Sequence, residues 1–457
     1  MDFQKVSLKE KIGYGFGDAA SSMFWKLFSM YLLFFYTDIY GLPAALVGTM
    51  FLVTRIWDAL FDPIVGVIAD RTVSRWGKFR PYLLWVALPF GIAGVLTFTT
   101  PSLSFTGKII YAYASYSLMM MIYSLINVPY ASLLGVMSPD GNTRNILSSF
   151  RMVFAFIGSI IALALVNPLL KFFGGNIKGN EPHAWQLTVA VFAILAIVLF
   201  FFCFYLTRER VKPMKEGNNN LGTDINDLFK NHPWWILLGS GISALIFNSI
   251  RDGAAIYYFK YYIKSQDLVS LYFVLGQAFN IVGIIFVTPL ANKYGKKVTY
   301  LSSMVFAAVL SIAFYWLSPT NIYSIMAMQC LISIFAGSIF PLLWSMYADT
   351  ADFSEWKTGR RATGLIFSSS SMSQKFGWTL GGALTGWLLG YYGFKANVVQ
   401  TEVAQNGIRM MLSFFPAIGA LLGAFFMFIY PLKESFLKKI EGELMERRAQ
   451  SGQKVND

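Results

Sequence analysis

Two carboxylates and a guanidinium stand where an apolar chain offers them no water. In "VTRIWDALFDPIVGVIADR", residues 53–71, Arg55, Asp58 and Asp62 interrupt a hydrophobic run before any loop signal. Asp58 and Asp62 are four residues apart, so a helix places both on one face, one turn from each other. Isolated charge in hydrocarbon is expensive, and such acids face a cavity or the interior of a bundle. Two acids on one face repel, so the pair binds a cation or keeps a proton. Arg55, three residues before Asp58, leaves a second reading open: a structural ion pair with Asp58.

Other polar groups interrupt apolar runs in the same way. "GFGDAASSMFWK" carries Asp18, Ser21, Ser22 and Lys26, the last too deep for easy snorkelling. "MIYSLINVPYASLLGVMSPDGNTR" supplies Tyr123, Ser124, Asn127 and Tyr130, with Pro129 loosening the helix. Arg151 opens the following apolar run, and Lys375 sits beside Gln374 and Trp378 in "SSSSMSQKFGWTLGGALTG". Hydrogen-bonding groups together with flat rings suit a sugar, whose hydroxyls need directional partners and whose ring needs an apolar face. Asp349, Asp352 and Glu355 recur every three residues in "SMYADTADFSEWKTGRRATG", ahead of Lys357, Arg360 and Arg361, and this cluster is expected to be a gate at a helix end.

These residues are positioned by membrane helices. The 457-residue chain is 56% hydrophobic and 13% charged, against roughly 25% charged in soluble domains. About twelve apolar segments approach or exceed the length that crosses a bilayer, the last ending near Tyr430. The start, "MDFQKVSLKEKIGYGFGD", has no apolar core of a cleavable leader. The net charge of +13 lies in alternate loops, for example Arg71, Arg75, Lys78 and Arg80, then Lys293, Lys296 and Lys297. That is the positive-inside pattern, with both termini cytoplasmic, so the surplus encodes topology and no nucleic-acid partner is expected. Cys203 and Cys330 lie in apolar runs and read as small hydrophobes, and a chain whose two histidines are His183 and His232 is left without most metal or triad arrangements. No cofactor and no enzymatic activity are expected.

A polar stretch at 208–232 divides an N-terminal bundle (1–207) from a C-terminal one (233–431), with a tail at 432–457 read as a short charged helix, a solvated amphipathic end. "GVIADRTVSRWGKFRPYLL" and "PLANKYGKKVTYLSS" occupy matching places in the two halves, the mark of a duplicated transporter. Matching Asp70 to Asn292 puts Asn280 and Ile284 opposite Asp58 and Asp62, so the cation chemistry belongs to the first half.

"YGFGD", "FYTDIYGLPAALVGTMFLVTRIWDALFDPIVGVIADRTVSRWGKFRP", "NVPYASL" and "ADTADFSEWKTGRRATG" resemble the glycoside–pentoside–hexuronide:cation symporters, the group containing the melibiose carrier. The resemblance runs from about Lys11 to Tyr430. It implies an all-α polytopic protein of the bacterial inner membrane, with a major facilitator fold of twelve helices in two six-helix bundles. The function implied is import of a sugar with H+ or Na+ by alternating access, as a monomer; a uniporter or a non-transporting sugar sensor is the alternative. By resemblance the cation acids are Asp58 and Asp62. The sugar site takes Ser22, Tyr123, Ser124, Asn127, Arg151 and Lys375, to which Lys26 and Trp378 are added from the reading above. The cytoplasmic gate takes Arg144, Asp349, Asp352, Glu355 and Arg361. Ser22 and Asn127 replace aspartates of the melibiose carrier, which, with Lys26, Arg151 and Lys375 unopposed, points toward an anionic sugar. Phe61 replaces a sodium-ligand asparagine, which favours H+.

Overall fold

The structure, a computed structural model, describes residues 6–138, 141–210, 228–358 and 363–450. Among the described residues every regular element is helical. In chain order they are α1 (Leu8–Leu27), α2 (Ala44–Arg71), α3 (Arg80–Trp85), α4 (Ala87–Thr97), α5 (Phe105–Met137), α6 (Gly141–Phe172) and α7 (Glu181–Leu206). There follow α8 (His232–Tyr257), α9 (Leu268–Tyr294), α10 (Lys296–Phe314), α11 (Ile322–Thr358), α12 (Thr363–Tyr391), α13 (Glu402–Leu412), α14 (Phe414–Ile429) and α15 (Glu434–Gln450). Eight helices are long and apolar enough to cross a membrane, among the described residues. Lipid offers backbone groups no partners, so a spanning chain closes its hydrogen bonds within helices.

The first helix of each sequence half leaves α geometry in the same way. α1 runs into π-helical turns at Phe28–Leu32 and Phe35–Ile39, and α8 into one at Tyr258–Tyr262. Tyr40 N donates to Phe35 O and Leu42 N to Tyr36 O, while Ile263 N donates to Tyr258 O and Ser265 N to Phe259 O, all at 2.9 Å. The two patterns are the same, one repeat apart.

The chain forms two compact units. The first comprises Met1–Lys215, Ala255–Gln277 and Gly382–Gly407, and the second Glu216–Ala254, Ala278–Gly381 and Ile408–Asp457. The end of α8, the start of α9 and the end of α12 thus group with the first unit rather than with the rest of their own half.

Within the first unit, the residues just after α7 act as a clamp. Glu209 accepts from the backbone N–H groups of Lys78, Phe79 and Arg80 at 2.8–2.9 Å, closing the N-terminus of α3. A helix N-terminus carries partial positive charge and orphan donors, so a carboxylate there satisfies both. Gly77 lets it approach: its φ is +111°, and a Cβ there would lie 2.4 Å from the Glu209 carboxyl carbon. The neighbouring Arg210 pairs with Glu10 at 2.7 Å, and Glu10 completes a capping box with Ser7 at the start of α1. Glu209 and Arg210 are therefore structural anchors; of the rest of the expected 208–232 linker, 211–227 lies outside the described residues.

The second unit has its own anchors. Lys296, following Gly295, donates to both oxygens of Asp349 at 2.8 Å. The described part of the tail, α15, is a helix as expected, and its apolar face is packed rather than solvated. In α15 Leu437, Ile440 and Leu444 are buried, Phe436 meets the Trp356 ring edge-on at 5.8 Å, and Trp356 Nε1 donates to Glu443 at 2.6 Å. An apolar stripe within a charged helix fixes it against α11.

Replacing Glu209 by Ala strips three backbone donors of their acceptor, at a cost of about 1–3 kcal/mol. The Glu209→Ala protein should melt several degrees lower in detergent than the parent, and Gly77→Ala should lose at least as much. Unchanged melting in both would show that the clamp carries no stability.

Candidate functional site

α1 presents one face that the first unit does not fully cover. Asp18, Ser22, Trp25, Lys26 and Ser29 are half-buried, at the spacing of one helical face, while Ala19, Ala20, Met23, Phe24 and Leu27 on the other side are buried. Small residues let neighbouring helices close on the buried side: a Cβ at Gly158 of α6 would lie 2.3 Å from Ala19 O. The uncovered side is where polar groups gather.

Asp58 is 2% exposed and is held from two directions. Arg55 Nη1 reaches its Oδ2 at 3.3 Å, and Ser124 of α5 donates to its Oδ1 at 2.8 Å. Arg55 also lies over the Trp25 ring, 4.6 Å from its centroid. Trp25 in turn meets Tyr123, with ring centroids 5.9 Å apart. One turn beyond Ser124, Asn127 accepts from Ser21 at 2.8 Å and donates to Tyr123 O at 3.1 Å. A single turn of α5 therefore touches the buried acid of α2 on one side and the face of α1 on the other. Asp62 follows Asp58 by one turn of α2 and is half-buried.

Arg151 does not stand unopposed. Its Nε donates to Asp18 Oδ2 at 2.8 Å, and its guanidinium lies 5.1 Å from the Tyr130 ring centroid. Asp18 is the partner 133 residues away that local spacing could not reveal. Trp25 also escaped sequence reasoning, yet it bridges Arg55 and Tyr123. Ser21, rather than Ser22, makes the bond to Asn127. The signal for Trp25 was present in the spacing of Ser22, Trp25, Lys26 and Ser29, which puts all four on one face.

Lys375 and Trp378 belong to the second unit, where both are half-buried on α12. Ser249 donates to Trp378 O at 3.0 Å, tying α8 to α12 beside them. Of the expected gate, Asp349 is paired with Lys296 as described. Asp352 and Glu355 follow on the same helix, each half-buried. Arg361 lies outside the described residues, as does the side chain of Arg144.

Residues 13–434 match a family described as MFS/sugar transport protein. The inner membrane symporter YicJ of Escherichia coli (strain K12) is 37% identical over 93% of this chain and 92% of its own length. The putative glycoside/cation symporter YagG of the same organism is 34% identical over 99% and 98%. The isoprimeverose transporter of Lactiplantibacillus pentosus is also 34% identical, over 99% and 94%. The crystal structure of the nucleoside transporter NupG superposes with a TM-score of 0.63 over 93% of this chain and 100% of that one; at 16% identity it shows the fold alone. The chain belongs to the MFS/sugar transport family, in its glycoside–pentoside–hexuronide:cation branch: it is a multi-pass membrane symporter of sugars and a cation with the major facilitator fold, and not an enzyme.

Proposed function

We propose that this carrier imports a neutral glycoside together with a proton by alternating access, its basic loops facing the cytoplasm. The observation that carries the reading is the Ser124–Asp58 hydrogen bond. Asp58 and Asp62 are the groups that take the coupling ion. Tyr123, Asn127, Ser22, Lys26 and Trp25 are the sugar-binding candidates of the first unit; Lys375 and Trp378 are those of the second. Since Ser124 bonds Asp58 within the same turn that holds Tyr123 and Asn127, a change of charge on the acids alters the hydrogen bonds offered to the sugar. Such a link is what coupling requires: two ligands, each changing the free energy of binding the other.

The proton is favoured by the donor set. Phe61 contributes no oxygen, whereas a hard cation needs several. Arg55 already places a fixed positive charge against Asp58, in the position a metal cation would need. Each charge that moves inward at 100 mV supplies about 2.3 kcal/mol, enough for roughly a fiftyfold sugar gradient.

Two of the basic groups, Arg151 and Arg55, support a neutral sugar. Arg151 is engaged by Asp18, and Arg55 by Asp58 and Trp25. Neither guanidinium is offered to a uronate, which weakens the anionic-sugar expectation drawn from the sequence. The Trp25 indole supplies the flat surface on which a pyranose ring packs, and a relative that shares a third of its residues over nearly its whole length is described as an isoprimeverose transporter.

In proteoliposomes, isoprimeverose added without sodium should alkalinise the outer medium, and methyl β-D-glucuronide should not. A response that demands sodium, or that follows only the glucuronide, overturns the proton or the neutral-sugar assignment respectively. Asp58→Asn and Asp62→Asn should each reduce the accumulation ratio to about one while the protein still inserts; uphill accumulation kept in both would remove the cation-site assignment. Trp25→Ala should raise the sugar KM by about three- to tenfold, with Trp25→Phe closer to the parent. Equal KM in all three would return Trp25 to packing.

A further inference from the structure

The matched π turns of the two repeats meet each other. We infer that Asp38, Lys260, Tyr261 and Asn397 form a latch, at the end of the carrier opposite its termini, that parts once in every transport cycle. The inference rests on the alternating-access reading above.

All of its contacts lie within the first unit. Lys260 Nζ donates to Asp38 Oδ1 at 2.7 Å and to Asn397 Oδ1 at 2.8 Å. The Tyr261 hydroxyl donates to the same Asp38 oxygen, and Asn397 Nδ2 donates to the Asp38 carbonyl. On the other carboxylate oxygen, Thr37 donates at 2.8 Å, and Thr37 shares a 2.8 Å hydrogen bond with the Tyr257 hydroxyl. Asn397 N donates to Tyr261 OH at 2.9 Å from a left-handed backbone, φ 58°, a conformation asparagine tolerates. Thr37 and Asp38 end the first helix of one half, Tyr257, Lys260 and Tyr261 end its counterpart in the other, and Asn397 follows α12. The site is thus built from both halves of the duplicated sequence.

Burial separates this cluster from ordinary ion pairs. The Asp38 side chain is 0% exposed and Lys260 22%, whereas the Lys171–Asp267 pair is 46% and 67% exposed. Exposed pairs contribute about 0–1 kcal/mol. A buried carboxylate deprived of its partners costs several, so the buried cluster has two sharply distinct states, made or broken. Around it the backbones are in contact: a Cβ on Gly386 of α12 would lie 2.5 Å from Ala44 O of α2. The π turns are suited to such a device, since these widened turns are rare and recur at functional positions in helices.

The test uses full-length protein in proteoliposomes with Cys203 and Cys330 replaced by alanine. Asp38→Cys and Lys260→Cys together are bridged by a short bis-methanethiosulfonate, because the Lys260 side chain spans too far for a direct disulfide. Bridging should cut isoprimeverose counterflow more than tenfold, and dithiothreitol should restore it; equal counterflow in bridged and reduced protein overturns the latch. A second, sugar-free measurement guards against misfolding and against a wrong substrate. Ser29→Cys, about 13 Å below Asp38 along α1, is alkylated by a membrane-impermeant maleimide from the side opposite the termini. Lys260→Gln and Tyr261→Phe should each speed that alkylation severalfold, and parent-like rates in both overturn the proposal. Failure of counterflow in reduced protein and parent alike, with alkylation still accelerated, would retire the substrate reading and keep the latch.

Discussion

A carboxylate buried in a membrane helix constrains everything near it. Asp58 cannot be left to hydrocarbon, so α2 brings Arg55 and α5 brings Ser124 to it. Each of those residues then acquires its own requirements. The Arg55 guanidinium is planar and lies against the Trp25 ring, which fixes the rotation of α1 relative to α2. Ser124 fixes the rotation of α5, and with it the direction in which Tyr123 and Asn127 present their polar atoms. The arrangement of α1, α2 and α5 thus follows from the solvation of one charge.

The same constraint gives the acid a functional sensitivity that a well-packed hydrophobic substitute would lack. A buried ion pair is often no more stabilising than apolar side chains of equal volume. Its consequence lies in the response to a second charge: in the proposed cycle the arriving cation weakens the Arg55 and Ser124 contacts together. Those contacts are shared with Trp25 and with the Tyr123–Asn127 turn, so the proposed sugar face and ion site change together.

Features carried by local spacing were legible in the sequence. The four-residue interval between Asp58 and Asp62 and the polar interruptions of apolar runs pointed to the buried acid and its neighbours, and the apolar runs themselves to the membrane helices. Interactions that span the chain were not legible. Asp18 and Arg151 are 133 residues apart, and Lys78 and Glu209 are 131 apart; nothing in either segment names its partner. Glu209 was hidden inside a charged stretch whose composition reads as linker, although its carboxylate closes a helix N-terminus. The tail was legible as an amphipathic helix, but nothing in its own sequence named Trp356 of α11 as the surface it packs on. The π turns left no compositional trace, since "FYTDI" and "YFKYY" share little beyond aromatic character.

α1 is the element through which the proposed ion site and the latch communicate. It carries Trp25 and Lys26 at the sugar face and, twelve residues later, Asp38 at its far end, a rise of about 18 Å in helical geometry. A straight α-helix would transmit any rotation at Trp25 directly to Asp38. The π turn at Phe28–Leu32 lies between them and adds one residue to the turn, so helix rotation beyond it can differ from rotation before it. That placement lets α1 keep its contacts with Arg55 and Tyr123 while its distal end engages or leaves Lys260. In the proposed cycle, cation binding at the acids and occupation of the sugar face bias one helix, and that helix ends in the buried Asp38 carboxylate of the proposed latch.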